Sequence, residues 1–173
     1  MTAVLRLFWN ICLLRDGPET VPTHTWFLVS LIAAELAMGV VLSAVMYPNL
    51  SPALWLNLAL INLAVTASIA WFALYLRNCE RRFPATLGAI LGTEVLIDAV
   101  GALALSATSG GARVTTGWIL TLWSVAVIGF ILHRALATRL WVGILLSFAI
   151  GVLGTFVALA LLGNLLVGGD SAV

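Results

Sequence analysis

Residues 26–46 read WFLVSLIAAELAMGVVLSAVM, an apolar run in which Glu35 is the single ionisable side chain. About 20 consecutive apolar residues are enough to cross the hydrocarbon core of a bilayer as an α-helix. The rest of the chain has the same character, since 62% of its 173 residues are hydrophobic, 9% are charged and the mean hydropathy is +1.15. A soluble domain contains about 25% charged residues. The sequence therefore predicts an all-α membrane protein.

Four further apolar stretches follow the first and are long enough to cross a bilayer. The five predicted spans cover residues 26–46, 53–76, 85–107, 116–132 and 140–167. Proline stands just before the second and third spans, at Pro52 and Pro84, and Ser109-Gly110-Gly111 follows the third as a flexible turn. We therefore predict a polytopic bundle of five transmembrane helices at residues 26–167, followed by a short outside tail at residues 168–173.

The distribution of arginine orients this bundle. Cytoplasmic loops of membrane proteins carry an excess of Lys and Arg. With five spans, one side of the membrane receives Arg6, Arg15, Arg77, Arg81, Arg82, Arg134 and Arg139. Only Arg113, in the predicted loop between the third and fourth spans, falls on the other side. The N-terminus is therefore predicted to be cytoplasmic and the C-terminus periplasmic. The lack of lysine suits a GC-rich bacterial genome, so we predict a multi-pass protein of the bacterial cytoplasmic (inner) membrane.

The N-terminal segment, residues 1–25, contains a shorter apolar stretch, AVLRLFWNICLL at residues 3–14. It is too short to cross the bilayer. Arg6 and Asn10 are four residues apart and share one face of a helix. The stretch therefore predicts an amphipathic helix that lies in the cytoplasmic interface and ends before Gly17 and Pro18. Docking of this helix onto a partner protein is the alternative interpretation.

Three carboxylates lie inside the predicted spans. Glu35 is near the middle of the first span and Glu94 near the middle of the third, and Asp98 shares a helical face with Glu94. Insertion scales give about 2.5–3.5 kcal/mol for an Asp at the centre of a membrane helix. No arginine, lysine or histidine falls inside a predicted span, so the three acids cannot all stay charged in apolar surroundings.

Three interpretations of this polar cluster follow from the sequence. The acids could be neutral and hydrogen-bonded to one another or to amides of the second span, among which Asn62 lies near the centre and Asn57 one turn earlier. A ligand or a partner protein could supply the missing positive charge. The acids could also form a path for protons or cations, because carboxylate chains mark such paths in membrane proteins. The sequence leaves all three open.

Small residues at four-residue spacing predict where helices pack closely. Gly88 and Gly92 form a GxxxG pair on the third span, and Gly143, Ser147 and Gly151 form a stripe on the fifth. Such stripes let helix backbones approach each other. They serve either packing within the chain or association with other chains. The predicted partners are accordingly the lipid bilayer and either further copies of the chain, as a homo-oligomer, or a larger membrane complex.

No motif of enzyme chemistry is present. The chain has no Walker sequence, no GxSxG and no His-Glu-x-x-His. His24 and His133 fall at predicted membrane interfaces, and Cys12 and Cys79 have no metal-binding or disulfide spacing. The sequence therefore predicts a protein that is not an enzyme and has no metal and no cofactor. The net charge of +1 gives no argument for nucleic-acid binding.

The segment LFWNICLLRDGPETVPT, Leu7 to Thr23, resembles the lead-in of small bacterial Yip1-type membrane proteins. In these proteins a short apolar helix likewise runs into a Gly-Pro turn, and five closely spaced spans follow. The resemblance implies an adaptor or accessory protein and supplies no catalytic residue. We therefore expect a non-enzymatic inner-membrane accessory or scaffold protein that acts through helix–helix association. The alternative is a small channel or transporter for protons, cations or a cationic solute, with the three carboxylates as its pathway.

Overall fold

The fold was obtained as a computed structural model, which describes the backbone of residues 2–168 and the side chains of residues 4–163. Within these residues the chain is helical, without strands. The helices are α1 (Thr2–Cys12), α2 (Thr25–Met46), α3 (Pro52–Leu76), α4 (Phe83–Ser106), α5 (Gly110–Leu136) and α6 (Leu140–Gly168). Short 3-10 turns cover Pro18–Thr20 and Glu80–Arg82. Of the predicted tail, residues 169–173 lie outside the described residues.

Five of these helices, α2 to α6, are long and apolar enough to cross a membrane, which confirms the predicted bundle. Four of them agree with the predicted bounds within two residues. The prediction for the fourth span, residues 116–132, was wrong at both ends. Helix α5 begins at Gly110, after an extended Ser109, and continues past His133 to Leu136, where Ala137 adopts a left-handed conformation (φ 49°). Arg113 therefore lies in the first turn of a helix and not in a loop.

The five long helices form a closed ring. Around the ring the order is α2, α4, α5, α6 and α3, and α3 packs back against α2. Helix α4 is the most enclosed, because α1 and α3 also contact it. Every residue from Thr86 to Glu94 is buried. The first half of α4 is therefore the centre of the core.

One end of the ring is tightly packed and carries the arginine-rich loops. The side chains of Leu74, Ile90, Leu91, Ile131 and Leu132 have no exposed surface there. The loops themselves are tied together, since the Arg82 guanidinium donates a hydrogen bond of 3.1 Å to the carbonyl of Ala135. Arg134 also lies 3.6 Å from the carboxylate of Glu19, in an exposed ion pair. We call this the arginine-rich end and the other the opposite end.

The outside of the ring is covered by large apolar side chains. Those that are more than half exposed include Trp118, Leu122, Leu145, Phe156 and Leu161. A surface of this kind would be unstable in water, and the described chain has few polar side chains to cover it. It matches a multi-pass protein whose outer face meets lipid.

Helix α1 packs into the side of the bundle. Phe8, Ile11 and Cys12 are buried, and the ring of Phe8 fills the space over Gly92, where any Cβ atom would collide with it. The Cys12 thiol points at the carbonyl of Thr93, 4.0 Å away. The amphipathic helix is present as predicted, and it rests on the core of the bundle.

The thiol of Cys12 lies outside the five spans and is cut off from water. Burial raises the pKa of this thiol to about 11, because the charged thiolate is poorly solvated there. The group is therefore neutral at physiological pH. The folded state favours the neutral thiol. This stabilisation is lost only as the pH rises from the pKa of a free thiol through about 11.

The predicted packing glycines of α4 are used within the chain. Gly92 receives Phe8 of α1, and a Cβ atom at Gly88 would lie 3.2 Å from the side chain of Val21 and 3.8 Å from that of Leu31. The N-terminal segment and α2 therefore pack against the GxxxG pair.

Candidate functional site

The helix ring borders a cavity of about 680 Å³, which is partly open where the exposed side chains of Val114 and Trp118 line it. It extends from the middle of the bundle, at Glu35, to the opposite end of the helices, where Met46, Leu105 and Arg113 line it. All five long helices contribute a polar side chain to its wall. These side chains are Glu35 of α2, Asn62 of α3, Glu94 and Asp98 of α4, Ser124 of α5 and Ser147 of α6.

The three carboxylates that the sequence singled out meet in this cavity. Glu35 and Glu94 are only 5% and 9% exposed, and Asp98 follows one turn later on α4, toward the opposite end. Their positions follow from the fold, since α2 and α4 are neighbours in the ring. When ionised, Glu94 and Asp98 each repel the charge of Glu35. The site therefore concentrates negative charge in a largely apolar chamber.

Two buried polar atoms in the cavity wall have no hydrogen-bond partner. One is Oε2 of Glu35, and the other is Oγ of Ser147, whose side chain is 3% exposed. An unsatisfied buried donor or acceptor costs about 1–3 kcal/mol. Both atoms belong to residues that line the same chamber.

Ser147 and Gly151, which the sequence assigned to helix packing, line the cavity. A Cβ atom at Gly151 would meet nothing within 4 Å, so no helix approaches closely there. Gly143 of the same stripe does pack, because a Cβ atom there would collide with the carbonyl oxygen of Gly129 on α5. Of the three residues in this stripe, Gly143 packs against α5, whereas Ser147 and Gly151 line the cavity.

Arg113 is the main correction to the sequence analysis, which found no base inside a span. It lies in the first turn of α5 and lines the cavity. Its guanidinium donates to the carbonyl of Val45 and, at 3.4 Å, to the carbonyl of Leu105. These carbonyls belong to the last turns of α2 and α4, where intrahelical partners are lacking and a positive charge is favourable. Arg113 therefore joins three helices at the mouth of the cavity.

Of the two asparagines that the sequence analysis placed in the polar cluster, only one lines the cavity. Asn62 lines the cavity. Asn57 is exposed and does not line this cavity. Of the predicted polar cluster, the structure therefore brings Glu35, Glu94, Asp98 and Asn62 to one cavity wall and places Asn57 elsewhere.

Most of the cavity wall is apolar. Leu42, Ile97, Leu120, Ile128 and Ile150 are among the side chains that surround the acids. Cavities of about 300–1,000 Å³ with an apolar lining and a few convergent polar groups are typical binding sites for small organic molecules. Such a wall offers contact to the body of a ligand, and the acids offer a counter-charge.

Sequence reasoning missed Arg113, Thr121 and Ser124 on α5. A signal for them existed, because Arg113, Gly117, Thr121 and Ser124 recur at three- or four-residue spacing and so share one helical face. This shared face was not recognised because hydropathy predicted that the helix begins only at residue 116, which left Arg113 in a loop.

Among the described residues, no group of three or more His, Cys, Asp or Glu side chains is placed to hold a metal ion. Comparison of the chain with protein-family models, curated proteins and solved structures found no match.

Proposed function

We propose that the protein is a small carrier that binds an organic cation in the cavity of its helix ring. The observation that supports this proposal is the meeting of Glu35, Glu94 and Asp98 in one chamber, with Oε2 of Glu35 buried and unpartnered. A cationic group beside these acids would neutralise repelling charges in a medium of low dielectric constant, where such pairs are strong.

The size and lining of the cavity favour an organic cation over a bare ion. About 680 Å³ is far more than an ion needs, and a drug-sized molecule fits a cavity of a few hundred Å³. The isoleucine and leucine side chains of the wall give a bare ion no ligands, whereas they give an apolar body extensive contact. An ammonium group also has N–H donors for Glu35 and for Ser147.

The asymmetry of the ring favours a carrier over an open channel. The cavity reaches the opposite end, at Met46 and Arg113, while the arginine-rich end is closed by the buried core around Ile90 and Ile131. A site at mid-depth that is accessible from one side is what alternating access requires. We further propose that the arginine-rich end is cytoplasmic, in a bacterial inner membrane, so that the cavity faces the periplasm.

The predicted accessory role through helix–helix association, with the Yip1-type resemblance, remains a second proposal. Two of its assigned packing residues, Gly88 and Gly92, contact segments of the same chain. The apolar outer face of the ring is the surface that such a partner would use in place of lipid.

The proposed function predicts saturable binding of an amphipathic amine to the purified protein in lipid nanodiscs. Dansylcadaverine, a primary amine with an apolar fluorescent group, is a suitable probe for anisotropy titration. Octylamine should displace it, whereas octan-1-ol, which has the same apolar chain and no charge, should not. Binding no greater than to empty nanodiscs, or equal displacement by the alcohol, would contradict the proposal.

A further inference from the structure

A second cavity of about 630 Å³ lies beside the first, at the opposite end of the ring. It is formed by the turn that includes Tyr47 and Pro48, by α3 at Leu58 and by α6 at Gly154 and Ala158. This cavity contains none of the three carboxylates. It is therefore distinct from the chamber that the proposed function uses.

The two cavities share part of their walls. Met46, Asn62 and Gly151 line both of them. Asn62 lies at the middle of α3 and is nevertheless exposed. A polar amide at mid-depth would be unfavourable against lipid chains, and such side chains normally face a cavity or another helix. Its position at the junction marks the point where one cavity leads into the other.

Helix α6 has glycines, Gly151 and Gly154, where it borders this junction, so these two positions have no side chain that would fill it. A Cβ atom at Gly151 would meet nothing within 4 Å, and a Cβ atom at Gly154 would meet only Oδ1 of Asn62, at 3.8 Å. Gly151 and Gly154, three residues apart on α6, therefore leave open space beside Asn62 within a pair of helices that pack against each other in the ring. This space extends from Asn62, which is exposed at the middle of α3, to the turn at Tyr47 and Pro48.

From this geometry we infer that the second cavity is a lateral access route, through which an amphipathic amine passes from the lipid to the carboxylates. The inference rests on the proposed function and specifies its substrate class. Leu58, Ala158 and Leu159 offer contact to an apolar body, while Asn62 and Thr155 offer oxygen acceptors to an ammonium group. A strongly hydrated cation without an apolar body would gain little from this path.

The route is tested by filling the second cavity from Gly154, which does not line the first. In the series Gly154→Ala, Gly154→Leu and Gly154→Phe, the association rate of dansylcadaverine in nanodiscs should fall with side-chain size. A narrowed path slows binding and release alike, so we expect Gly154→Phe to slow both by about tenfold at an unchanged Kd. Gly163→Phe is the matched control, because Gly163 lies on the same helix outside both cavities and a Cβ atom there meets nothing within 4 Å.

The outcomes separate this inference from the proposed function. Unchanged rates throughout the Gly154 series, with binding still weakened by the double Glu35→Gln and Glu94→Gln variant, would overturn the route and leave the site intact. A weaker Kd caused by faster release alone would also overturn it, since the second cavity would then be part of the binding site. If the probe binds equally well to the double variant, the proposed function itself fails.

Discussion

Replacing Glu35 and Glu94 together by glutamine is expected to weaken dansylcadaverine binding by about 100-fold, because the ligand's charge loses its buried counter-charges. Glutamine keeps the shape of glutamate and removes only the ionisable group. Glu35 provides the unpartnered Oε2 atom, and Glu94 lies beside it in the cavity wall. The double variant should fold at least as well as the parent, since it no longer buries two repelling acids.

The matched control for this variant is Glu80→Gln. Glu80 is exposed in the short turn between α3 and α4 at the arginine-rich end, away from the cavity. Its replacement removes one carboxylate of the same kind and should leave the Kd unchanged. Equal affinities of the parent and the double variant, measured by anisotropy titration, would remove the acids from any role in binding. The neutral, hydrogen-bonded interpretation would then be the better account of them.

Gly143→Leu is expected to lower the free energy of unfolding by at least about 3 kcal/mol, because the new side chain overpacks a backbone contact. A Cβ atom at Gly143 would collide with the carbonyl oxygen of Gly129 and lie 2.8 Å from the backbone nitrogen of His133. Backbone atoms of a helix cannot move aside as the end of a flexible side chain can. Helices α5 and α6 would have to separate along the hairpin that closes the ring.

Gly163→Leu, on the same helix, is the matched control for Gly143→Leu. A Cβ atom there meets nothing within 4 Å, and leucine favours a helix over glycine by up to about 1 kcal/mol. The control should therefore be neutral or stabilising, opposite in sign to the test variant. Thermal unfolding followed by tryptophan fluorescence in detergent compares the two. Equal midpoints would contradict the close crossing of α5 and α6.

The spans were predictable because hydropathy and turn residues determine them locally. Pro52 and Pro84 stand in the first turns of α3 and α4, as expected for residues that lack a backbone donor. The start of α5 was not predictable in this way. Its first turn is polar and glycine-rich, and it is stabilised by bonds from Arg113 to the ends of two other helices. Such a contact is known only once the helices are assembled.

The order of the helices in the ring could not be predicted either. The long helices are apolar on nearly all faces, so no stripe shows which face turns inward. The three acids were the exception, and the structure brings them to the wall of one cavity. Ser124 and Arg113 carried a weaker signal, because each looks like an isolated polar residue until the ring places both in the same wall.

The central claim, that a cation can reach the buried acids from the opposite end, is tested most directly at Ser147. Ser147→Cys is made in a chain whose native cysteines are replaced, and a membrane-impermeant trimethylammonium thiosulfonate is added on that side. Phe148→Cys, on the adjacent residue but 60% exposed on the outer face, controls for reaction from the lipid. We predict that Ser147→Cys reacts, that Phe148→Cys does not, and that octylamine slows the reaction. An unreactive Ser147→Cys, or a reaction rate that octylamine leaves unchanged, would contradict the account.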